Sequence, residues 1–188
     1  MKILLAPFMA LAVVGLFLSI VVHVSGLLGL ASPLGQSTWT LHVAIFVVWL
    51  PAVIASQPLA KGFKQKDLWK AVLRGCPPWM RHVTFGFLGY AIINFILFVA
   101  FDVRGPKGRS PGGETPPSVF AGFSGHWMAF YSMAFAILYS AAHVREHGTA
   151  GKCPNGHPVA PSASYCEDCG AKILEADERG RRDAGDMR

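Results

Sequence analysis

Residues 3–30 read ILLAPFMALAVVGLFLSIVVHVSGLLGL, an uninterrupted apolar run preceded by a single cation, Lys2. A helix needs about 20 predominantly apolar residues to cross a hydrocarbon core of roughly 30 Å, so this run can span a bilayer. A secretory signal peptide is the competing reading. Its apolar region, however, extends over only about 7–15 residues, and no small-x-small cleavage site closes the run neatly. A retained membrane helix is therefore expected over about 3–30.

The same reading extends outward. Between Met1 and Ala60 the only charged side chain is Lys2, and neither His82–Phe101 nor Thr115–Val144 contains Asp, Glu, Lys or Arg. Further helices are expected over about 38–56, 83–101 and 120–144, the first two helices being antiparallel neighbours across the short Pro33/Gly35 turn. A composition of 52% apolar residues with a mean hydropathy of +0.39 excludes an ordinary soluble domain. The expected fold class is an all-α membrane protein, a four-transmembrane-helix bundle over residues 1–144.

The net charge of +6 belongs to topology rather than to nucleic-acid binding, and no nucleic-acid partner is expected. Residues 57–82 carry Lys61, Lys64, Lys66, Lys70, Arg74 and Arg81 against the one acid Asp67. Lys and Arg accumulate in short loops on the inner side, so this loop is expected in the cytoplasm. Phe63, Leu68, Trp69, Val72 and Leu73 fall mostly on one side of a helix within it, the pattern of an interfacial helix on anionic headgroups; a plain solvated loop is the alternative. The Gly/Pro-rich stretch 102–119 has a weaker bias and is expected outside. Four crossings then place both termini in the cytoplasm of a multi-pass, plasma-membrane protein.

Beyond a linker at 145–152 lies CPNGHPVAPSASYCEDC, Cys153–Cys169. Cys153 and His157 form a Cys-x3-His pair, and Cys166 and Cys169 a Cys-x2-Cys pair. Zinc takes four such ligands at about 2.0–2.3 Å, each close pair forming one knuckle. Gly156 and Gly170 suit the turns beside the ligands. Redox-active thiols or a disulfide would leave an odd cysteine and give His157 no role. Over Cys153–Ile173 the stretch resembles the small zinc ribbons of prokaryotic membrane and signalling proteins, whose pattern is Cys-Pro-x-Gly-His, a spacer, an aromatic, then Cys-x2-Cys-Gly. The commoner version has a second Cys near the position of His157. The resemblance implies a closed, structural zinc site over 153–173, followed by a charged flexible tail at 174–188. A cytosolic position agrees with it, because thiolates there stay reduced and free to bind metal.

Polar groups at membrane depth are the other place to look for function. His23, His42, His126 and Asn94 are expected in one layer roughly 6–12 Å below the outer boundary, counting 1.5 Å of rise per residue. They would serve an axially ligated haem, a transition metal or a quinone pocket, or simply join neighbouring helices. Cys76, lacking a neighbouring ligand, is expected to be an ordinary thiol. No nucleophile–base pair, phosphate loop or paired acids occur, and the spans hold no Asp or Glu. The chain is thus expected to be a non-enzymatic bilayer protein with a cytosolic zinc ribbon for a protein partner; the alternatives are a haem-, metal- or quinone-binding redox protein and a small-molecule permease.

Overall fold

The computed structural model describes residues 2–61, 63, 65–103, 115–144, 151–159, 165–166 and 169–171. The flexible tail expected at 174–188, segment 104–114 of the loop expected outside and linker residues 145–150 lie outside the described residues. The chain divides into two compact units, one holding the helices and the other two short strands.

The helical unit contains α1 (Lys2–Leu27), α2 (Trp39–Ala60), α3 (Leu68–Val72), α4 (Pro78–Phe98) and α5 (Pro117–His143). A π-turn over Val99–Val103 continues α4. α1 stops three residues short of the end of its apolar run because Gly29 adopts φ +69°. Leu30 N–H then bonds Ser25 O at 2.9 Å and Gly29 N–H bonds Gly26 O at 3.1 Å, closing the helix through the left-handed geometry that glycine adopts without a Cβ clash.

α4 and α5 begin earlier than their apolar runs suggest, at Pro78 and Pro117. In both cases a preceding proline is held extended (Pro77 ψ 153°, Pro116 ψ 145°), and the second proline occupies the first helical turn, where its missing N–H costs nothing. Charge concealed the first turn of α4, which contains Arg81 and His82. α3 is a short helix rather than a long surface one: Ala71, Val72 and Leu73 are buried, while Trp69 remains exposed.

α5 is the axis of the unit and packs against α1, α2 and α4, while α1 also packs on α2. Trp127, Tyr131, Leu138, Ser124 and Ser140 of α5 are fully buried. The outer helices instead show large apolar side chains outward: Phe17 on α1, Phe46 and Leu50 on α2, Ile93 and Ile96 on α4. A bundle with polar groups within and a continuous apolar exterior is the inverse of a water-soluble one. Three helical segments, Leu4–Leu27, Gly35–Ala60 and Pro78–Phe101, are long and apolar enough to cross a membrane. α5 is not among them although it is 27 residues long. Surrounded by protein, it accommodates Ser118, Ser124, Ser132, Ser140 and His126, which lower its apolarity.

Glycine permits the close approach of α1 to α5. A Cβ on Gly26 would stand 2.8 Å from both Ala121 N and Pro117 O, whereas one on Gly86 of α4 would meet nothing within 4 Å. Replacement of Gly26 by leucine should therefore destabilise the bundle by about 1–3 kcal/mol, the usual cost of overpacking. Gly86→Ala should leave the thermal midpoint in detergent unchanged, so equal midpoints for all three proteins would contradict this packing.

Candidate metal centre

In the second unit, β1 (Gly151–Lys152) and β2 (Pro158–Val159) pair antiparallel, Gly151 opposite Val159 and Lys152 opposite Pro158. The hairpin brings the ends of the first knuckle together. Cys153 N–H bonds His157 O at 2.9 Å, and Gly156 N–H bonds Cys153 O at 2.8 Å with Gly156 at φ +81°. The second knuckle repeats the device: Gly170 N–H bonds Cys166 O at 2.8 Å, Gly170 lies at φ +69°, and Cys166 N–H bonds Ala171 O at 2.8 Å. Positive φ at these positions lets the chain turn back over a ligand without a Cβ clash.

The four predicted ligands converge. Cys153 Sγ lies 3.6 Å from His157 Nδ1 and 3.7 Å from Cys169 Sγ, and Cys166 Sγ lies 3.8 Å from the same His157 nitrogen. All four ligand atoms fall within 4.8 Å of one another. A sulfur–sulfur bond needs about 2.05 Å, so these are free thiols rather than a disulfide. A tetrahedron with bonds of about 2.3 Å to sulfur and about 2.05 Å to nitrogen has edges of roughly 3.8 Å between sulfurs and roughly 3.6 Å from sulfur to nitrogen. The observed separations match those edges, and the cluster can hold a metal ion.

Cys153 and Cys166 are buried with Val159 in a small core, and Cys169 is exposed. Hydrogen bonds lower the Cys169 thiol to about 6, the backbone near Ala171 contributing most, followed by the Asn155 and His157 side chains. Asn155 Nδ2 donates to Cys169 Sγ at 3.3 Å. That thiol is therefore mainly thiolate, the form that ligates metal, at neutral pH. The fourth cysteine is of another kind. Cys76 is buried in the helical unit, its Sγ–H donates to Ala136 O at 3.1 Å, and burial pushes its thiol up to about 11 despite the opposing Arg81 charge.

The four polar residues expected at membrane depth are not gathered at one point. His42 and His126 meet, Nδ1 to Nε2 at 3.4 Å, and Trp127 Nε1–H donates to the same His42 Nδ1 at 2.9 Å. Indole nitrogen is donor only, so His42 Nδ1 is the acceptor and His126 contributes its Nε2–H. His23 bonds instead to Ser124 Oγ, at 2.8 Å, and to the Tyr90 hydroxyl. Asn94 donates both amide hydrogens to α5, to Ala121 O at 2.9 Å and Gly122 O at 3.0 Å. Among the described residues the cysteine–histidine cluster is the one group of three or more metal-type side chains whose ligand atoms converge.

Tyr90 and Ser124, like the α5 aromatics Trp127 and Tyr131, are not among the residues singled out from the sequence. Both aromatics are buried, with Tyr131 O–H donating to Leu41 O at 2.7 Å. Their i, i+4 spacing from Phe123 and Trp127 places them on one helical face, a signal for burial that the sequence carries. No protein-family model, curated protein or solved structure matches this chain.

After chelation in non-denaturing detergent, a thiol reagent should titrate three of the four free cysteines quickly. Cys76 should react only once the helices are unfolded. Four fast thiols would show that Cys76 is not buried as described.

Proposed function

We propose that the protein is a multi-pass membrane protein whose Cys153, His157, Cys166 and Cys169 hold one structural zinc ion. The small ribbon so formed acts as a cytosolic interaction or regulatory module. The separation of the ligand atoms carries this reading: edges of 3.6–3.8 Å suit a tetrahedral ion bound by three thiolates and an imidazole, a donor set that favours zinc. Four protein ligands close the coordination sphere and leave no position for substrate, so the metal serves folding rather than catalysis. Its product is a surface, and a surface is what a partner protein reads.

In this reading α5 is a fourth crossing. At 27 residues it is about 40 Å long at 1.5 Å per residue, its flanks rather than its interior carry charge, and protein shields its serines and histidine. The basic stretch 57–82 then lies inside, and four crossings put the C-terminal ribbon in the same reducing compartment.

Purified full-length protein should contain zinc near one equivalent by elemental analysis, and Cys166→Ser should reduce this to trace levels. Undiminished zinc in Cys166→Ser would overturn the assignment. Asn155→Ala, which removes a hydrogen bond to a ligand sulfur, should weaken zinc binding roughly tenfold while leaving its stoichiometry intact. Alkaline phosphatase fused after Gly112 should be active and the same enzyme fused at the C-terminus inactive; the reverse would invert the topology.

A further inference from the structure

α1 and α4 both lean on α5 but make little contact with each other. Between them runs an open groove of about 550 Å³, walled by Ile20 and His23 of α1 and by Gly86, Phe87 and Tyr90 of α4, with Met128 of α5 as its floor. This volume lies within the range of small-molecule sites. Both walls belong to segments long and apolar enough to cross a membrane, so the groove opens sideways into hydrocarbon.

The polar chain along the groove has a fixed direction. Ser124 has one hydroxyl hydrogen, and the Phe120 carbonyl takes it at 2.5 Å. Ser124 Oγ therefore accepts from His23 Nδ1–H across 2.8 Å. A neutral imidazole carries one N–H, and an ionised one is costly in these apolar surroundings, so His23 Nε2 is the acceptor of the Tyr90 hydroxyl hydrogen. The Tyr90 oxygen is left with its lone pairs and, among the described residues, no donor. His23 is 5% exposed whereas Tyr90 is 40% exposed, so the chain begins inside the protein and ends at an unfilled acceptor in the groove.

We propose that this groove binds an isoprenoid hydroquinone, the reduced form of a membrane quinone, whose ring lies along Gly86 and Phe87 and whose hydroxyl donates to the Tyr90 oxygen. The occupant must enter from the bilayer and therefore carries a long apolar tail. Its head must donate a hydrogen bond from within the hydrocarbon, where a phospholipid presents ester carbonyls that only accept, its amine or hydroxyl headgroup donors staying at the polar surface. A flat ring suits a wall where a Cβ on Gly86 would meet nothing within 4 Å and where Phe87, Tyr90 and His23 offer aromatic surfaces. The oxidised quinone presents only carbonyl acceptors. To bind it, Tyr90 would have to withdraw its hydrogen from His23, which Ser124 cannot replace without releasing Phe120. The groove thus distinguishes two oxidation states of one carrier, and it does so independently of the metal centre.

The test is titration of the full-length, zinc-loaded protein in detergent with decylubiquinol and, separately, with decylubiquinone, followed by native mass spectrometry. One decylubiquinol per chain is expected, bound about tenfold more tightly than the quinone, the difference one hydrogen bond makes. Tyr90→Phe keeps the ring and should bring the two affinities together, while Gly86→Leu should fill the groove and abolish binding of both. Because the readout is the quinol-to-quinone ratio, a general loss of structure is distinguishable from loss of the acceptor; if Gly86→Leu does not fold, Tyr90→Phe decides. Equal affinities in the unmodified protein, an unchanged ratio in Tyr90→Phe, or equal displacement by dioleoylglycerol would overturn the proposal.

Discussion

An apolar exterior leaves polar groups no water to fall back on, and this constraint organises the helical unit around α5. Among the described residues, most polar side chains that face inward end on a partner within the bundle. Trp127 N–H and Tyr131 O–H fasten α2 through His42 and the Leu41 carbonyl, and Asn94 fastens α4 through two α5 carbonyls. Gly75 N–H donates to Ser140 Oγ at 3.0 Å, which holds the turn before α4 against α5. An unpaired amide or hydroxyl among hydrocarbon costs several kcal/mol, so these bonds fix which faces of α1, α2 and α4 turn inward. Apolar contact with lipid cannot, because one apolar face is as well solvated by acyl chains as another.

The second unit solves the opposite problem. Its core consists of Cys153, Val159 and Cys166 with Ala171 packed against them, and two strands of two residues each cannot hold a fold by burial alone. The four ligands supply the missing constraint, and the two glycine turns aim them. A metal bound here would substitute for a hydrophobic core in a domain too small to build one.

How far the sequence discloses all this depends on the range of each interaction. Cys153, His157, Cys166 and Cys169 lie within seventeen consecutive residues, so local spacing makes their convergence legible. The helices are legible because apolar length and the absence of charge are properties of contiguous segments. Their ends were less so, since Pro77–Pro78 and Pro116–Pro117 start helices before the apolar composition begins. The partners of the membrane histidines were not legible. His23 reaches Ser124 and Tyr90 across separations of 101 and 67 positions, and helix rotation, which decides such pairings, leaves little trace in one sequence. His42 and His126 meet at 3.4 Å, but a common depth gives no means of separating His23 from them.

Depth and direction together show that the two sides of α5 differ. On the α2 side, His42 Nδ1 receives hydrogens from both Trp127 and His126, and Trp39 packs against His42, Trp127 and Phe123 with ring centroids 5.5–6.3 Å apart. Donors and aromatic surfaces there close on one another, which is the arrangement of a helix joint. On the α1–α4 side the bonds run in a single file from Tyr90 through His23 and Ser124 to the Phe120 carbonyl. A file of this kind ends with an acceptor at its head, and among the described residues that head is 40% exposed where α1 and α4 make little contact. The same residue type therefore does different work on the two sides: His42 and His126 tie helices together, whereas His23 orients the hydroxyl that faces the opening.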